Sequence, residues 1–155
     1  MLRVIGRGAY GEIWLARGLT GAMRAVKVVH RSTFESERAF QREFQGMSSF
    51  EPISRAHPGF VDILHVGRTD QYLYYIMELA DDHLAGRQID VISYAPRTLK
   101  SELERHKCLS ASESIRFGLA LTEALDALHT RVQIVHRLAF LFPVAADFAL
   151  LLQSD

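Results

Sequence analysis

The sequence predicts an α+β fold, in which a small sheet with one main helix is followed by a linker and a helical part. Short apolar, β-branched segments separated by glycine-containing turns fill much of the first half of the chain, as is typical of strands. One segment among them repeats apolar residues at spacings of four and three, which indicates a helix. Beyond a polar stretch at 81–96, two further segments carry helical patterns.

The composition is that of one globular domain. The chain has 155 residues, of which 48% are hydrophobic, and its 18 basic and 18 acidic side chains cancel. A neutral chain offers no bulk attraction to nucleic acid or to an anionic membrane surface. The single cysteine, Cys108, cannot form an internal disulfide, and the first residues lack the apolar segment of a secretory signal. We therefore expect a cytoplasmic protein with no nucleic-acid or membrane partner.

Five segments are predicted strands. The first two flank a glycine-rich turn, the third follows a second turn, and the last two form a hairpin. In chain order they are Val4–Ile5, Glu12–Ala16, Arg24–Val29, Val61–Val66 and Tyr72–Glu78. The stretch Glu51–Gly59, with two prolines and a glycine, is predicted to be a loop.

The main helix is predicted between the third and fourth strands. Ser32 followed by Glu35 forms a capping-box pattern, which opens a helix that reaches about Met47. Phe40, Phe44 and Met47 repeat along it at spacings of four and three, so one face of the helix is apolar.

Two more helices are predicted after the linker. Thr98 begins a short helix that ends near Lys107. Ser110 with Glu113 repeats the capping-box pattern and opens a longer helix to about Thr130.

A glycine-rich turn near the amino terminus is the first candidate functional element. Gly6, Gly8 and Gly11 fit the pattern Gly-x-Gly-x-x-Gly. Glycines let the backbone approach phosphate oxygens that a Cβ would keep away. Dinucleotide-binding folds and protein kinases both use this pattern, and a plain turn also fits it. A dinucleotide fold needs a helix that begins in the loop, whereas the segment that follows here has the pattern of a strand.

The residues after the turn make the chain resemble the nucleotide-binding lobe of a protein kinase. Ile13 follows the last glycine by two positions, and the lysine of Ala25-Val26-Lys27 follows it by sixteen. The resemblance is closest to bacterial serine/threonine-type kinases and covers about residues 3–137. It implies an antiparallel sheet with one main helix, followed by the first helices of a mainly helical, incomplete second lobe.

The resemblance implies a site for ATP phosphates. Lys27 would contact the α- and β-phosphates, and Glu43 of the main helix would orient it, with Glu35 and Glu37 as runner-up partners. The glycine-rich flap over the phosphates would consist of Gly6, Gly8, Tyr10 and Gly11.

The resemblance also implies an adenine site. Ile13 and Ala25 would cover the base with apolar surface. Met77-Glu78-Leu79-Ala80 resembles the kinase hinge, with Met77 as the gatekeeper. The backbone of Glu78 and of Ala80 would then form hydrogen bonds with the adenine edge.

The resemblance ends within the catalytic loop. Val135-His136-Arg137 matches its opening, but Leu138 stands where the family has the aspartate that accepts the hydrogen of the substrate hydroxyl. Pro143 stands where the family has an asparagine that holds magnesium. We therefore predict weak ATP binding, magnesium only as part of the bound nucleotide, no metal site of the chain's own, and no phosphoryl transfer.

These patterns divide the chain into four parts. They are the nucleotide-binding lobe at 1–80, the linker at 81–97, the partial helical lobe at 98–137 and an apolar tail at 138–155. The tail is unrelated to the kinase pattern, because it holds thirteen apolar residues in eighteen and no basic residue. A frame change or premature junction that replaced the rest of a kinase is the preferred explanation, and a short pseudokinase is the alternative.

Three functions remain open at this point. The first is a truncated kinase domain that retains ATP-binding elements. The second is a non-catalytic pseudokinase or interaction module that docks a protein partner through the exposed surface of the helix at 111–130. The third is a dinucleotide-binding fragment.

Overall fold

The computed structural model describes residues 1–8 and 11–132. Among the residues singled out above, Tyr10, Leu138, Pro143 and the stretch Val135-His136-Arg137 lie outside the described residues, as does the predicted tail. The described part of the chain forms five strands and three α-helices. In chain order they are β1 (Arg3–Gly8), β2 (Gly11–Arg17), β3 (Met23–His30), α1 (Glu37–Ser54), β4 (Ile63–Arg68), β5 (Tyr72–Met77), α2 (Leu99–His106) and α3 (Ala111–Val132).

The five strands form one antiparallel sheet in the order β1-β2-β3-β5-β4. Each predicted strand segment overlaps one of these strands, although β4 begins at Ile63 rather than Val61 and β5 ends at Met77 rather than Glu78. The predicted α+β fold is therefore confirmed. The long connection between β3 and β4 contains α1, which packs against β4. β5 then lies between β4 and β3, so β3 is a central strand with neighbours on both sides.

The two faces of the sheet differ in what they bury. Residues two apart on a strand share a face, and residues opposite each other on neighbouring strands share it too. One face therefore carries Lys27 and the fully buried side chains of Leu15, Ala25, Leu73, Tyr75 and Met77. The other face has a separate apolar cluster of Ala16, Val26 and Val28, against which Trp14, Tyr72, Tyr74 and Ile76 pack.

The main helix begins later than the sequence predicts. Ser32 lies in a 3₁₀ turn, where the Thr33 hydroxyl donates to the carbonyl of His30 at 2.6 Å. Ser36 is the N-cap instead, and its hydroxyl oxygen accepts a hydrogen bond from the amide of Ala39 at 3.2 Å. The capping box predicted at Ser32 was wrong because two serines, Ser32 and Ser36, stand near the start of the helix, and the local pattern does not show which one is the N-cap.

The main helix also ends later than predicted, since it runs through Pro52 to Ser54. Proline has no amide hydrogen, so the helix loses one backbone hydrogen bond at this position. A tertiary contact holds the last turn: the buried Ser54 hydroxyl donates to the carbonyl of Glu51 at 2.7 Å and accepts from the amide of Ile63 at 2.9 Å. The loop predicted from residue 51 onward was therefore wrong for its first four residues.

Both later helices begin where the sequence predicts. The Thr98 hydroxyl accepts from the amide of Ser101 at 3.0 Å, and the Ser101 hydroxyl accepts from the amide of Thr98 at 2.8 Å. Before α3, the Glu113 carboxylate accepts from the amide of Ser110 at 2.8 Å and completes the predicted capping box. Within the described residues, no helix has the length and apolar character needed to cross a membrane.

The predicted linker is irregular but organised around one buried carboxylate. Asp82 accepts backbone hydrogen bonds from Leu84 at 2.9 Å and from Ala85 and Ala95 at 2.8 Å. Burial alone would raise the pKa of Asp82, but these amides outweigh it and hold that pKa below its ordinary value.

The chain divides into two compact units. The first comprises residues 1–56, 62–79 and 90–93, and contains the sheet and α1. The second comprises residues 57–61, 80–89 and the chain from Tyr94 onward, and contains α2 and α3.

Replacing Ser54 with alanine tests the contact that extends α1. Ser54→Ala leaves the amide of Ile63 without its partner, because the site is closed to water. We expect a loss of about 1–3 kcal/mol in the free energy of unfolding, measured by urea denaturation. Ser48→Ala is the control, since the exposed Ser48 hydroxyl bonds only to the Phe44 carbonyl within the same helix. Equal stability of the two variants would contradict this account.

Candidate functional site

Lys27 lies in the middle of β3 with only 8% of its surface exposed. The strand register places Ile13 of β2 on one side of it and Tyr75 of β5 on the other. The Lys27 Nζ atom is 5.5 Å from the centroid of the Tyr75 ring. Lysine is almost never buried without a partner, because removing its charge from water is costly. Lys27 is therefore a candidate functional residue on structural grounds as well.

Glu43 on α1 is the acidic residue whose charge acts on Lys27. Burial lowers the pKa of Lys27, and the negative charge of Glu43 opposes part of that effect. Burial raises the pKa of Glu43, and the positive charge of Lys27 opposes it in turn. No ion pair within 4.0 Å joins the two side chains in the described part of the chain. They are coupled by their charges at more than salt-bridge distance.

The two runner-up partners lie elsewhere. Glu37, in the first turn of α1, forms an ion pair with Arg31 and accepts a hydrogen bond from the Gln41 side chain at 2.7 Å. Glu35 is exposed and precedes the helix. Of the three acidic candidates, the structure brings Glu43 to Lys27.

Four predicted ATP-site residues share one face of the sheet. Ile13 and Lys27 lie in one row, with Tyr75 opposite Lys27. Ala25 and Met77 are opposite each other in the next row and are both fully buried. A buried ammonium beside apolar surface suits a ligand that has an anionic part and a flat, apolar part.

The glycine-rich turn joins β1 to β2, and only one of its glycines is required by the fold. Gly11 has a φ of +140°, and a Cβ there would lie 2.1 Å from the carbonyl oxygen of Val28. At Gly6 a Cβ would make an ordinary contact with Ile13, and at Gly8 it would meet nothing within 4 Å. Crowding by the surrounding protein therefore does not account for glycine at positions 6 and 8.

Two backbone groups at the end of β5 have fixed partners. In the first unit, the amide of Glu78 donates to the carbonyl oxygen of Asp62 at 3.1 Å, and the Glu78 carboxylate accepts from the Asp62 amide at 3.0 Å. Burial raises the pKa of Glu78. In the second unit, the Tyr94 hydroxyl donates to the carbonyl oxygen of Ala80 at 3.0 Å. These bonds use neither the carbonyl of Glu78 nor the amide of Ala80.

Sequence reasoning missed three residues of this region. Tyr75 lies beside Lys27, while Asp62 and Tyr94 fix backbone groups of the predicted hinge. The sequence could have indicated Tyr75, because it stands two positions before Met77 on a predicted strand and so shares its face of the sheet. Asp62 and Tyr94 had none, since their bonds join residues 16 and 14 positions apart in the sequence.

The described residues include no group of three or more His, Cys, Asp or Glu side chains placed to hold a metal ion.

Comparison with known proteins assigns the family. Residues 1–137 match the sequence model of the protein kinase domain. The chain is 27% identical over 145 residues to the serine/threonine-protein kinase srk1 of Schizosaccharomyces pombe, and 27% identical over 141 residues to the serine/threonine-protein kinase PrkC of Bacillus subtilis. Each alignment covers 88% of this chain but only 23% and 19% of the respective relative.

The chain thus spans about a quarter or less of the length of these relatives. The family match nevertheless covers far more than half of the chain. It includes the sheet, whose strand β3 carries Lys27, and α1, which carries Glu43. This chain therefore belongs to the protein kinase domain family.

Proposed function

We propose that this chain is a domain of the serine/threonine kinase type that binds ATP weakly and does not transfer its phosphoryl group. The observation that carries the proposal is the burial of Lys27 where the charge of Glu43 acts on it, on the face that also presents Ile13, Ala25 and Met77. Kinase relatives of both fungal and bacterial origin support the serine/threonine class.

Lys27 and the glycine turn are assigned to the phosphates. An ammonium on a strand acts as a fixed point charge for phosphate oxygens, and Glu43 keeps it directed. This assignment accounts for glycine at positions 6 and 8, which folding does not explain, because a backbone without a Cβ can approach the phosphates closely. Gly11 serves the fold, since it allows the turn to pass the carbonyl of Val28.

Ile13, Ala25 and the backbone at Glu78, all in the first unit, are assigned to the adenine. The amide of Glu78 already donates a hydrogen bond to the carbonyl of Asp62, and the carbonyl of Ala80 already accepts one from the hydroxyl of Tyr94. The Glu78 carbonyl is an acceptor, which complements the amino group of adenine. Guanine has a carbonyl oxygen, which is also an acceptor, in place of that amino group, so this assignment favours ATP over GTP.

Two positions of the catalytic loop argue against phosphoryl transfer. Leu138 has no oxygen or nitrogen in its side chain that could accept the proton of a substrate hydroxyl. Pro143 cannot coordinate magnesium through a side chain. Magnesium would neutralise phosphate charge when it arrives with the nucleotide, but the assigned residues of this chain do not bind it. Both changes support weak binding without turnover.

A second candidate function, a non-catalytic module that docks a protein partner, is favoured by one observation. Ile115 and Leu119 lie four positions apart on α3 with 64% and 60% of their surfaces exposed. Residues at this spacing share one side of a helix. A docking function of this kind does not require the charge of Lys27, which separates it from the first candidate.

Removing the Lys27 charge tests ATP binding. We expect isothermal titration with MgATP to detect weak binding to the unmodified chain, and weaker binding of MgGTP. Lys27→Ala should weaken MgATP binding by about tenfold or more, because a hydrogen bond from a charged group to phosphate is lost.

Lys100→Ala is the matched control, since Lys100 is an exposed lysine on α2. It should leave MgATP affinity unchanged. Equal affinity of Lys27→Ala and the unmodified chain would contradict the proposed site. Magnesium-dependent phosphorylation of a protein substrate, abolished by Lys27→Ala, would contradict the proposed loss of transfer.

The glycines provide a second test, which separates folding from ligand binding. Gly11→Ala should lower the free energy of unfolding by about 2 kcal/mol or more, because its backbone conformation and the nearby Val28 carbonyl exclude a Cβ. Gly8→Ala should leave urea stability nearly unchanged, since no atom lies within 4 Å of the position that the added methyl group would take. It should nevertheless weaken MgATP binding several-fold. A Gly8→Ala variant with unchanged MgATP affinity would remove the turn from the site.

A further inference from the structure

Tyr75 is a large buried side chain beside Lys27. It is 1% exposed and lies directly opposite Lys27 in the ladder between β3 and β5. The Lys27 Nζ atom is 5.5 Å from the centroid of its ring, within the range of a cation–π interaction. Such an interaction is strongest where water is excluded, and both side chains are buried here.

Tyr75 also interacts with the other member of the pair. Burial raises the pKa of the Tyr75 phenol, and the negative charge of Glu43 raises it further. The phenol therefore stays neutral and adds no competing negative charge. The carboxylate of Glu43 is close enough to affect both Lys27 and Tyr75, so the three side chains form one cluster.

The surroundings of Lys27 leave few other groups to hold its ammonium. Ile13 of β2 is its partner on one side and carries no charge. Tyr75 of β5 is its partner on the other side, and Glu43 is the acidic group on α1. Glu43 forms no ion pair with Lys27 within 4.0 Å among the described residues, so the face of the Tyr75 ring offers the ammonium an attraction that a salt bridge does not supply.

We propose that Tyr75 is a positioning residue, whose ring face holds the Lys27 ammonium at the place where the phosphates bind. This inference deepens the proposed function and rests on it. Tyr75 itself need not touch the nucleotide, since it acts through Lys27. The ring supplies the effect, and the hydroxyl does not.

The test compares variants that change the ring electronics but keep its shape. Tyr75→Phe keeps the ring face, and 3,4,5-trifluorophenylalanine at position 75 fills a similar volume but has a much weaker negative face. The chain has three lysines, so the Lys27 signals in a chain with ¹³C-labelled lysine can be assigned with Lys27→Arg. Their dependence on pH gives the pKa of Lys27 without nucleotide, with Lys100 and Lys107 as internal references.

We expect Tyr75→Phe to retain the pKa of Lys27 and the affinity for MgATP. The trifluorinated ring should lower the pKa of Lys27 by about one and weaken MgATP binding by about five- to tenfold, because the protonated lysine loses its partner. Unchanged values with the trifluorinated ring would show that Tyr75 only fills the core. A Tyr75→Phe variant that loses as much as the trifluorinated one would also overturn the proposal, since the hydroxyl would then be responsible.

The two readouts separate this inference from the proposed function. If the trifluorinated ring lowers the pKa of Lys27 while the unmodified chain binds no MgATP, the contact holds and the nucleotide site fails. If the unmodified chain binds MgATP but the pKa and the affinity are the same with either ring, the nucleotide site holds and the role of Tyr75 fails. Urea denaturation of both variants checks that each is folded under the conditions used.

Discussion

The ammonium group of Lys27 lies where burial favours loss of its proton. Its pKa is lowered by that burial, and the carboxylate of Glu43 is the charge that opposes the effect. Burial has the opposite effect on Glu43, because it raises the pKa of that carboxyl group and favours its protonated form. The charge of each group therefore opposes the pKa shift that burial imposes on the other.

Two sets of contacts place Lys27 and Glu43 in the fold. The register of β2, β3 and β5 fixes Lys27 between Ile13 and Tyr75, on the face that carries Ala25 and Met77. The helix that carries Glu43 is joined to the sheet by the buried hydroxyl of Ser54, which accepts from the amide of Ile63 at the start of β4. The position of the pair thus follows from strand register and from the packing of α1 against β4, to which the Ser54 hydrogen bond contributes.

The sequence predicted those parts of the fold that depend on local patterns. The five strands, the start of the short helix at Thr98 and the cap at Ser110 follow from alternation, glycine turns and hydroxyl side chains, all of which act over a few residues. The ends of α1 could not be predicted this way, because the choice of Ser36 over Ser32 and the continuation through Pro52 depend on tertiary contacts. The residues of the candidate site likewise divide into those that the sequence indicated and those that only the tertiary structure shows. Lys27 and Glu43 were chosen by resemblance to a family, whereas the part played by Tyr75 became visible only from the ladder between β3 and β5.

The most direct test of the coupled pair replaces each acidic candidate by its neutral amide and measures MgATP affinity by isothermal titration. Glu43→Gln removes the charge that acts on Lys27 and nearly preserves the size of the side chain. The account predicts that Glu43→Gln weakens binding by about tenfold, while Glu35→Gln and Glu37→Gln leave it unchanged. Unchanged affinity in Glu43→Gln, or an equal loss in Glu37→Gln, would contradict the claim that Glu43 is the partner that keeps Lys27 ready for phosphate.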